Sequence, residues 1–93
     1  MKVKAKCIRL VEDSSLLGVF TVIFDDILEV NDFKLVKGKN GKSSFVSVPS
    51  EAYKSGKETK YHNIVWITDD DLKESIEKAI KKAYKKAQED SDE

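Results

Sequence analysis

The chain has 93 residues, enough for one domain with a small hydrophobic core, and it has no net charge although 37% of its residues are charged. Its single cysteine excludes an internal disulfide, and its apolar runs fall well short of the roughly 18 residues of a membrane span. The N-terminus alternates basic with apolar residues, unlike the continuous apolar block of a signal peptide, so we expect a cytoplasmic protein without a membrane segment.

Two β-strands are predicted at the start of the chain. Residues 3–7 alternate apolar side chains with lysines as in a half-buried strand, and the phase slips at Cys7-Ile8, which indicates a β-bulge. We interpret Cys7 as a buried strand residue rather than a nucleophile. A polar turn is predicted at residues 12–15. Leu17 to Phe24 is nearly all apolar and rich in β-branched residues, which predicts a strand buried on both faces or paired with a partner.

A third strand is predicted from Ile27 to Val36, after a short turn at Asp25-Asp26. Its apolar positions alternate with polar ones, as expected where one face of a strand is buried. The alternation changes phase at Asn31-Asp32, which again indicates a bulge or a bend in the strand.

The third strand is predicted to form a β-hairpin with a fourth. Residues 38–41 contain Gly38, Asn40 and Gly41, which tolerate the positive φ that a tight turn requires. The fourth strand is predicted over Ser44 to Val48. Pro49 should end it, because proline has no N–H to donate to a strand ladder.

The segment after the hairpin is predicted to be irregular. Ser50 to Lys60 is polar and turn-like, with Tyr53 as its one large apolar side chain, so we predict an exposed, mobile loop. Tyr61 to Ile67 ends in four consecutive apolar residues, and it is either a final short strand or an extended segment that packs onto the core.

A C-terminal helix has the strongest periodicity. Thr68 is the predicted N-cap, Asp71 would complete a capping box, and Ile67 and Leu72 have the spacing of a hydrophobic staple. Acidic residues near its start and lysines near its end match the helix macrodipole. One apolar stripe recurs at helical spacing: Leu72, Ile76, Ala79, Ile80, Ala83, Tyr84 and Ala87. We place a single domain at residues 1–88 and an acidic tail at residues 89–93.

Lysines are concentrated in residues 34–60, which contain seven lysines and only two glutamates. Such a block can attract polyanions even in a neutral protein, because local potential governs attraction. The alternative is that these lysines keep a β-edge soluble. The candidate nucleic-acid-binding residues are Lys37, Lys39, Lys42, Lys54, Lys57 and Lys60, with Tyr53, Tyr61 and Trp66 as candidate stacking partners for bases.

The lysine block predicts weak sequence readout, since Arg9 is the only arginine in the chain and lysine lacks the bidentate geometry of arginine. We therefore expect salt-sensitive binding of low specificity. A second lysine patch lies on the predicted helix, at Lys78, Lys81, Lys82 and Lys85, but the macrodipole and solvation account for it.

Catalytic and metal sites are not predicted. His62 is the only histidine and has no reactive cysteine beside it, so a surface or packing role is favoured. The run Asp69 to Asp71 lacks the spaced oxygens of a calcium loop and is explained as a helix start. Residues 38–42 lack the ending of a phosphate-binding loop. We expect a non-enzymatic protein with no cofactor and no metal ion.

The hairpin carries a family signature. Its elements are Val30-Asn31-Asp32-Phe33-Lys34-Leu35-Val36, the glycine turn from Gly38 to Gly41, and Phe45-Val46-Ser47-Val48-Pro49-Ser50. This combination resembles the stage V sporulation protein G family of SpoVG-like bacterial septation regulators. The likeness is strongest over the hairpin and extends more weakly over most of the chain.

The resemblance implies a fold, an assembly and an activity. It implies a curved antiparallel sheet with a C-terminal helix, homodimers formed through the sheets, and roles in septation, sporulation control and gene expression with binding of DNA or RNA. Two positions depart from the family pattern. Glu51-Ala52 stands where many members have a Lys-Arg pair implicated in nucleic-acid contact, and Val65-Trp66-Ile67 stands where many have Ala-His-Pro.

Together these observations predict an α+β fold, a twisted antiparallel β-sheet of four to five strands with one C-terminal α-helix, dimerising through the sheet. The predicted function is a bacterial septation and sporulation regulator that binds nucleic acid through loop lysines. The alternative is a protein–protein interaction module of the cell-division machinery, docking through its sheet edge or helix without direct nucleic-acid binding.

Overall fold

The structure is a computed structural model that describes residues 1–11, 14–39, 41 and 43–91, the last residue by its backbone alone. Four strands form an antiparallel sheet in the order β1-β2-β3-β4, two more pair separately, and one helix follows. The elements are β1 (Val3–Leu10), β2 (Leu16–Phe24), β3 (Leu28–Lys37), β4 (Ser44–Ser47), β5 (Ser50–Ser55), β6 (Glu58–Asn63) and α1 (Asp70–Ser91). The predicted α+β fold with a C-terminal helix is confirmed.

Both predicted bulges are present in the four-stranded sheet. The register between β1 and β2 shifts between Cys7 and Arg9, so Ile8 is the extra residue. The register between β2 and β3 shifts opposite Asn31-Asp32, where Asp32 has a φ of 69°. The Thr21 hydroxyl donates to the Asn31 side-chain oxygen at 2.7 Å and is satisfied although Thr21 is buried. The Asn-Asp pair therefore builds the bend in β3.

The turn between β2 and β3 is formed by the two adjacent aspartates. Asp25 and Asp26 have φ values of 52° and 59°, and the Ile27 N–H donates to the Phe24 carbonyl at 3.0 Å. Positive φ at both central positions is the property of a type I′ turn, whose twist suits a hairpin. The Asp26 carboxylate also lies 3.3 Å from the Lys4 ammonium, which ties the turn to β1.

The hydrophobic core lies between one face of the sheet and α1. The helix contacts mainly β1, and its apolar stripe covers the buried side chains of β2 and β3. On the other face of β2, Val19 and Ile23 are only half-buried. The buried apolar residues are Phe20, Val22, Phe24, Phe33, Leu35, Ile76 and Ile80.

The helix begins one residue later than predicted. The Asp69 carboxylate accepts a hydrogen bond from the Leu72 N–H at 3.1 Å, and the Asp69 carbonyl accepts one from the Lys73 N–H. Asp69 is therefore the N-cap and the prediction of Thr68 is wrong, because either side chain can cap a helix and only the chain path decides which one does. α1 runs to Ser91, into the segment predicted as an acidic tail.

The predicted loop at residues 50–60 is also wrong, because these residues form most of a β-hairpin. Ser50 to Ser55 pairs with Glu58 to Asn63, and Gly56 has a φ of 66°. Positive φ at the first central residue is what a two-residue type II′ turn requires. Both faces of this hairpin are exposed, so no alternation of apolar and polar residues marked its strands.

The other connections follow the predictions where the structure describes them. β4 ends at Ser47, two residues before Pro49, and Gly41 has a φ of 72° in the turn before it. Asn40, Glu12 and Asp13 lie outside the described residues. Residues 64–69 have no regular structure, and Ile67 packs against the core as an extended segment.

Candidate nucleic-acid interface

The predicted binding lysines fall on two separate elements. One is the hairpin loop between β3 and β4, and the other is the two-stranded sheet of β5 and β6, which we call the ribbon (residues 50–63). Five of the six are exposed: Lys54, Lys57 and Lys60 on the ribbon, Lys37 at the end of β3 and Lys39 in the hairpin loop. Lys42 lies outside the described residues.

One face of the ribbon combines an aromatic pair with charge. Glu51 pairs with His62 and Tyr53 pairs with Lys60 across the two strands, so these four side chains share a face. The Tyr53 and His62 rings lie 5.4 Å apart between centroids and are tilted by 50°. The His62 Nε2 atom is 3.6 Å from a Glu51 carboxylate oxygen, an ion pair whenever the imidazole is protonated.

The opposite face of the ribbon carries a different set of side chains. Ala52 pairs with Tyr61 and Lys54 pairs with Thr59, and all four residues are exposed. Lys54 and Lys60 therefore point to opposite faces, because successive side chains of a strand alternate. The ribbon lysines do not line one flat edge; they surround the ribbon near its turn, where Lys57 lies.

The hairpin loop is fixed at its base by main-chain hydrogen bonds. The Lys37 N–H donates to the Ser15 carbonyl at 2.7 Å, and the Gly38 N–H donates to the Ser43 carbonyl at 2.7 Å. A Cβ at Gly38 would lie 2.6 Å from the Ser43 hydroxyl oxygen, so a larger residue there would force the Ser43 side chain to move. Lys39 follows in the exposed part of the loop.

The base of the ribbon is attached to the body of the domain. The Ile64 N–H donates to the Pro49 carbonyl at 2.9 Å, which closes the ribbon at the end opposite its turn. Asn63 and residues 65–67 then border a cavity of about 250 Å³ against Phe33 and Ile76. Trp66 lies on the rim of this cavity with 74% of its surface exposed. An indole so placed is available for stacking.

Metal-ligating groups are dispersed in the part of the chain that the structure describes. No three histidine, cysteine, aspartate or glutamate side chains among those residues gather to hold a metal ion. The same residues contain no helix that combines the length and apolar character of a membrane span.

The Glu51–Tyr53–His62 cluster was not predicted from the sequence. Its signal was the Gly56-Lys57 dipeptide, which can form a two-residue hairpin turn. In such a hairpin, residues at equal distance from the turn face each other, which pairs Glu51 with His62. The polar composition of the segment concealed this signal.

The resemblance of the hairpin motif to the SpoVG family extends to nearly the whole chain. The model of the SpoVG family matches residues 1–86. The chain belongs to the SpoVG family. In the structure, the Asn-Asp pair of the SpoVG-like motif forms the β3 bulge, and its Pro-Ser pair leads from β4 into the ribbon.

Two curated relatives carry the name "Putative septation protein SpoVG". The relative from Symbiobacterium thermophilum is 33% identical over 69 residues, which cover 74% of this chain and 46% of the relative. The relative from Acholeplasma laidlawii is 41% identical over 44 residues, which cover 47% of this chain and 45% of the relative. The chain therefore spans about half the length of the curated relatives it matches.

Proposed function

We propose that this SpoVG-family protein is a non-enzymatic bacterial regulator of septation and sporulation that binds DNA or RNA through lysines of the ribbon and the hairpin loop. The septation role rests on family membership and on the names of its relatives. The observation that carries the binding role is the exposed ribbon, whose two faces both present lysine beside an aromatic ring.

The ribbon offers two kinds of contact to an unpaired strand. The ammonium groups of Lys54, Lys57 and Lys60 would neutralise backbone phosphates and release counterions. Tyr61 shares a face with Lys54, and Tyr53 shares one with Lys60, so a base can stack on a ring while the adjacent phosphate meets a lysine. The binding is salt-sensitive because the lysines contact phosphates. It has low sequence specificity because stacking on an aromatic ring tolerates any base.

The residue after the Pro-Ser pair influences where on the ribbon a nucleic acid would bind. Glu51 stands where many SpoVG-like proteins have the first residue of a basic pair, and its carboxylate lies beside His62 at the base of the ribbon. An acid there repels phosphate, so the proposed contact shifts toward the ribbon turn, where Lys57 and its neighbours outnumber the one acid, Glu58.

Fluorescence anisotropy tests the binding role with single-stranded DNA, single-stranded RNA and duplex oligonucleotides at about 50 mM salt, where phosphate contacts are stronger than at physiological salt. The variant with Lys54, Lys57 and Lys60 changed to Ala should lose most of the affinity. A control variant with Lys78, Lys81 and Lys85 changed to Ala loses the same charge from α1 and should keep it. Absence of binding by the natural chain, or unchanged binding by the ribbon variant, would refute the assignment.

We also propose that the protein acts as a homodimer formed through its sheet. A two-stranded hairpin without a core is marginally stable in water, and β5 and β6 contact each other more than they contact any other element. On the sheet face opposite α1, Phe45 pairs with Val36 and is exposed. Light scattering at micromolar concentration should give twice the 10.5 kDa chain mass, and a monomer would contradict the proposal.

A further inference from the structure

A groove between β1 and the C-terminal half of α1 is separate from the ribbon. Its volume is about 540 Å³. Small apolar side chains form its floor: Val3, Ala5, Cys7, Ala79, Ala83 and Ala87. Lys82 and Lys86 line it from the helix, and Asp90 lies at one end.

The groove follows the free edge of the four-stranded sheet. β1 is the first strand in the sheet order, so one of its edges has no strand partner among the residues that the structure describes. Five consecutive residues, 3–7, line the groove, although their side chains alternate between the two faces. Lys4 directs its ammonium group to Asp26, so it lines the groove with its main chain or its aliphatic stem and not with its charge. Unpaired strand N–H and C=O groups are a template for another strand.

The charge around the groove selects the kind of strand that fits. Lys6, Lys82 and Lys86 line it, and none of them forms an ion pair with another described residue. A second copy of β1 is a poor occupant, because residues 1–11 carry three lysines and one arginine with no acid. Like charges facing each other across a strand pair are destabilising. An acidic strand would meet opposite charge on both β1 and the helix.

We propose that this groove binds an extended acidic segment of a partner protein, which adds to β1 as an antiparallel or parallel fifth strand. Main-chain hydrogen bonds to β1 supply affinity, and small apolar side chains of the segment enter the alanine-lined floor. Acidic side chains of the segment meet the lysines on either side. This interaction does not depend on nucleic-acid binding by the ribbon.

A nine-residue peptide of alternating glutamate and valine, labelled with fluorescein, is the probe. We expect saturable binding to the natural chain by anisotropy. The same peptide with every main-chain amide N-methylated keeps every charge and side chain but cannot donate a main-chain hydrogen bond along either edge, so it can pair with β1 in neither direction. It should bind far more weakly if a strand is added. Equal binding of the two peptides would overturn the proposal. This comparison uses the natural chain and needs no protein variant.

Variants of α1 test whether the peptide binds in the groove. Lys82→Glu with Lys86→Glu should weaken binding about tenfold, the loss expected for two exposed ion pairs and their replacement by repulsion. The matched control, Lys81→Glu with Lys85→Glu, makes the same charge change outside the groove lining and should weaken it much less. An equal effect of the two variants would show attraction to the whole helix and would contradict the groove assignment.

Cys7 reports directly on occupancy because it is the only cysteine of the chain and lines the groove. Burial raises the pKa of its thiol, partly offset by a main-chain hydrogen bond at Arg9, so alkylation should be slow enough to follow. Saturating peptide should slow that alkylation. If the peptide binds without protecting Cys7, or if a single-stranded oligonucleotide protects it and displaces the peptide, the groove is not a peptide site.

Discussion

Replacing Ile80 with alanine tests how much of the fold depends on the contact between α1 and the sheet. Ile80 lies in the middle of the helix with 0% of its surface exposed, within the cluster formed by Phe20, Phe33, Leu35 and Ile76. Ile80→Ala removes three carbon atoms from this cluster and leaves a cavity that the surrounding strands can only partly fill.

The expected loss follows from transfer and cavity terms. Burying an isoleucine side chain contributes about 1.5–3 kcal/mol, and substitutions of buried isoleucine by alanine cost about 2–5 kcal/mol in total. Alanine recovers a few tenths of a kcal/mol through its higher helix propensity. We expect a net loss of about 3 kcal/mol in the free energy of unfolding. A domain of this length has roughly 5–14 kcal/mol in all, so the loss is a large fraction.

Urea unfolding followed by circular dichroism measures this loss. With a slope of about 1–1.5 kcal/mol per molar for a small domain, the midpoint should fall by about 2–3 M. The control is Ile27→Ala in the β2–β3 turn, where the side chain is 87% exposed and the same substitution should change stability by less than about 0.5 kcal/mol. Equal midpoints for the two variants would refute the packing of α1 on the sheet.

Two further predictions concern the helix cap and the β2–β3 turn. Asp69→Ala should cost about 0.5–2 kcal/mol in urea unfolding and Thr68→Ala much less, because Asp69 accepts the Leu72 N–H; the reverse order would restore Thr68 as the cap. The Lys4 ammonium beside Asp26 lowers the pKa of that carboxyl, so the charged form stabilises the folded chain above the ordinary aspartate pKa of about 4. Asp26→Asn should therefore lower the urea midpoint at pH 7, and the difference should vanish as the pH falls through the lowered pKa; a constant difference would contradict this linkage.

Much of the fold could be predicted because it is encoded in local periodicity. The slip at Cys7-Ile8 and the phase change at Asn31-Asp32 predicted two bulges that the sheet contains. The helix stripe predicted the buried positions Ile76 and Ile80. In these cases the same residues define both the local pattern and the buried face, so sequence and structure agree.

The ribbon could not be predicted in the same way, because its strands bury nothing. A strand with both faces exposed has no hydrophobic alternation, and only Gly56-Lys57 indicated its turn. The missed ribbon changes the arrangement of the candidate binding residues. The predicted loop contains Lys54 and Lys60 as neighbours, whereas the strand register places them on opposite faces of the ribbon. The groove beside β1 also depends on sheet order, which pairs residues distant in sequence.

An NMR titration of the isotope-labelled chain with a single-stranded oligonucleotide tests the proposed interface most directly. We predict that backbone amide shifts concentrate in the ribbon, residues 50–63, and in the hairpin loop around Lys39, and that they disappear as salt is raised. Shifts confined to α1 or to the groove beside β1, with the ribbon amides unmoved, would contradict it.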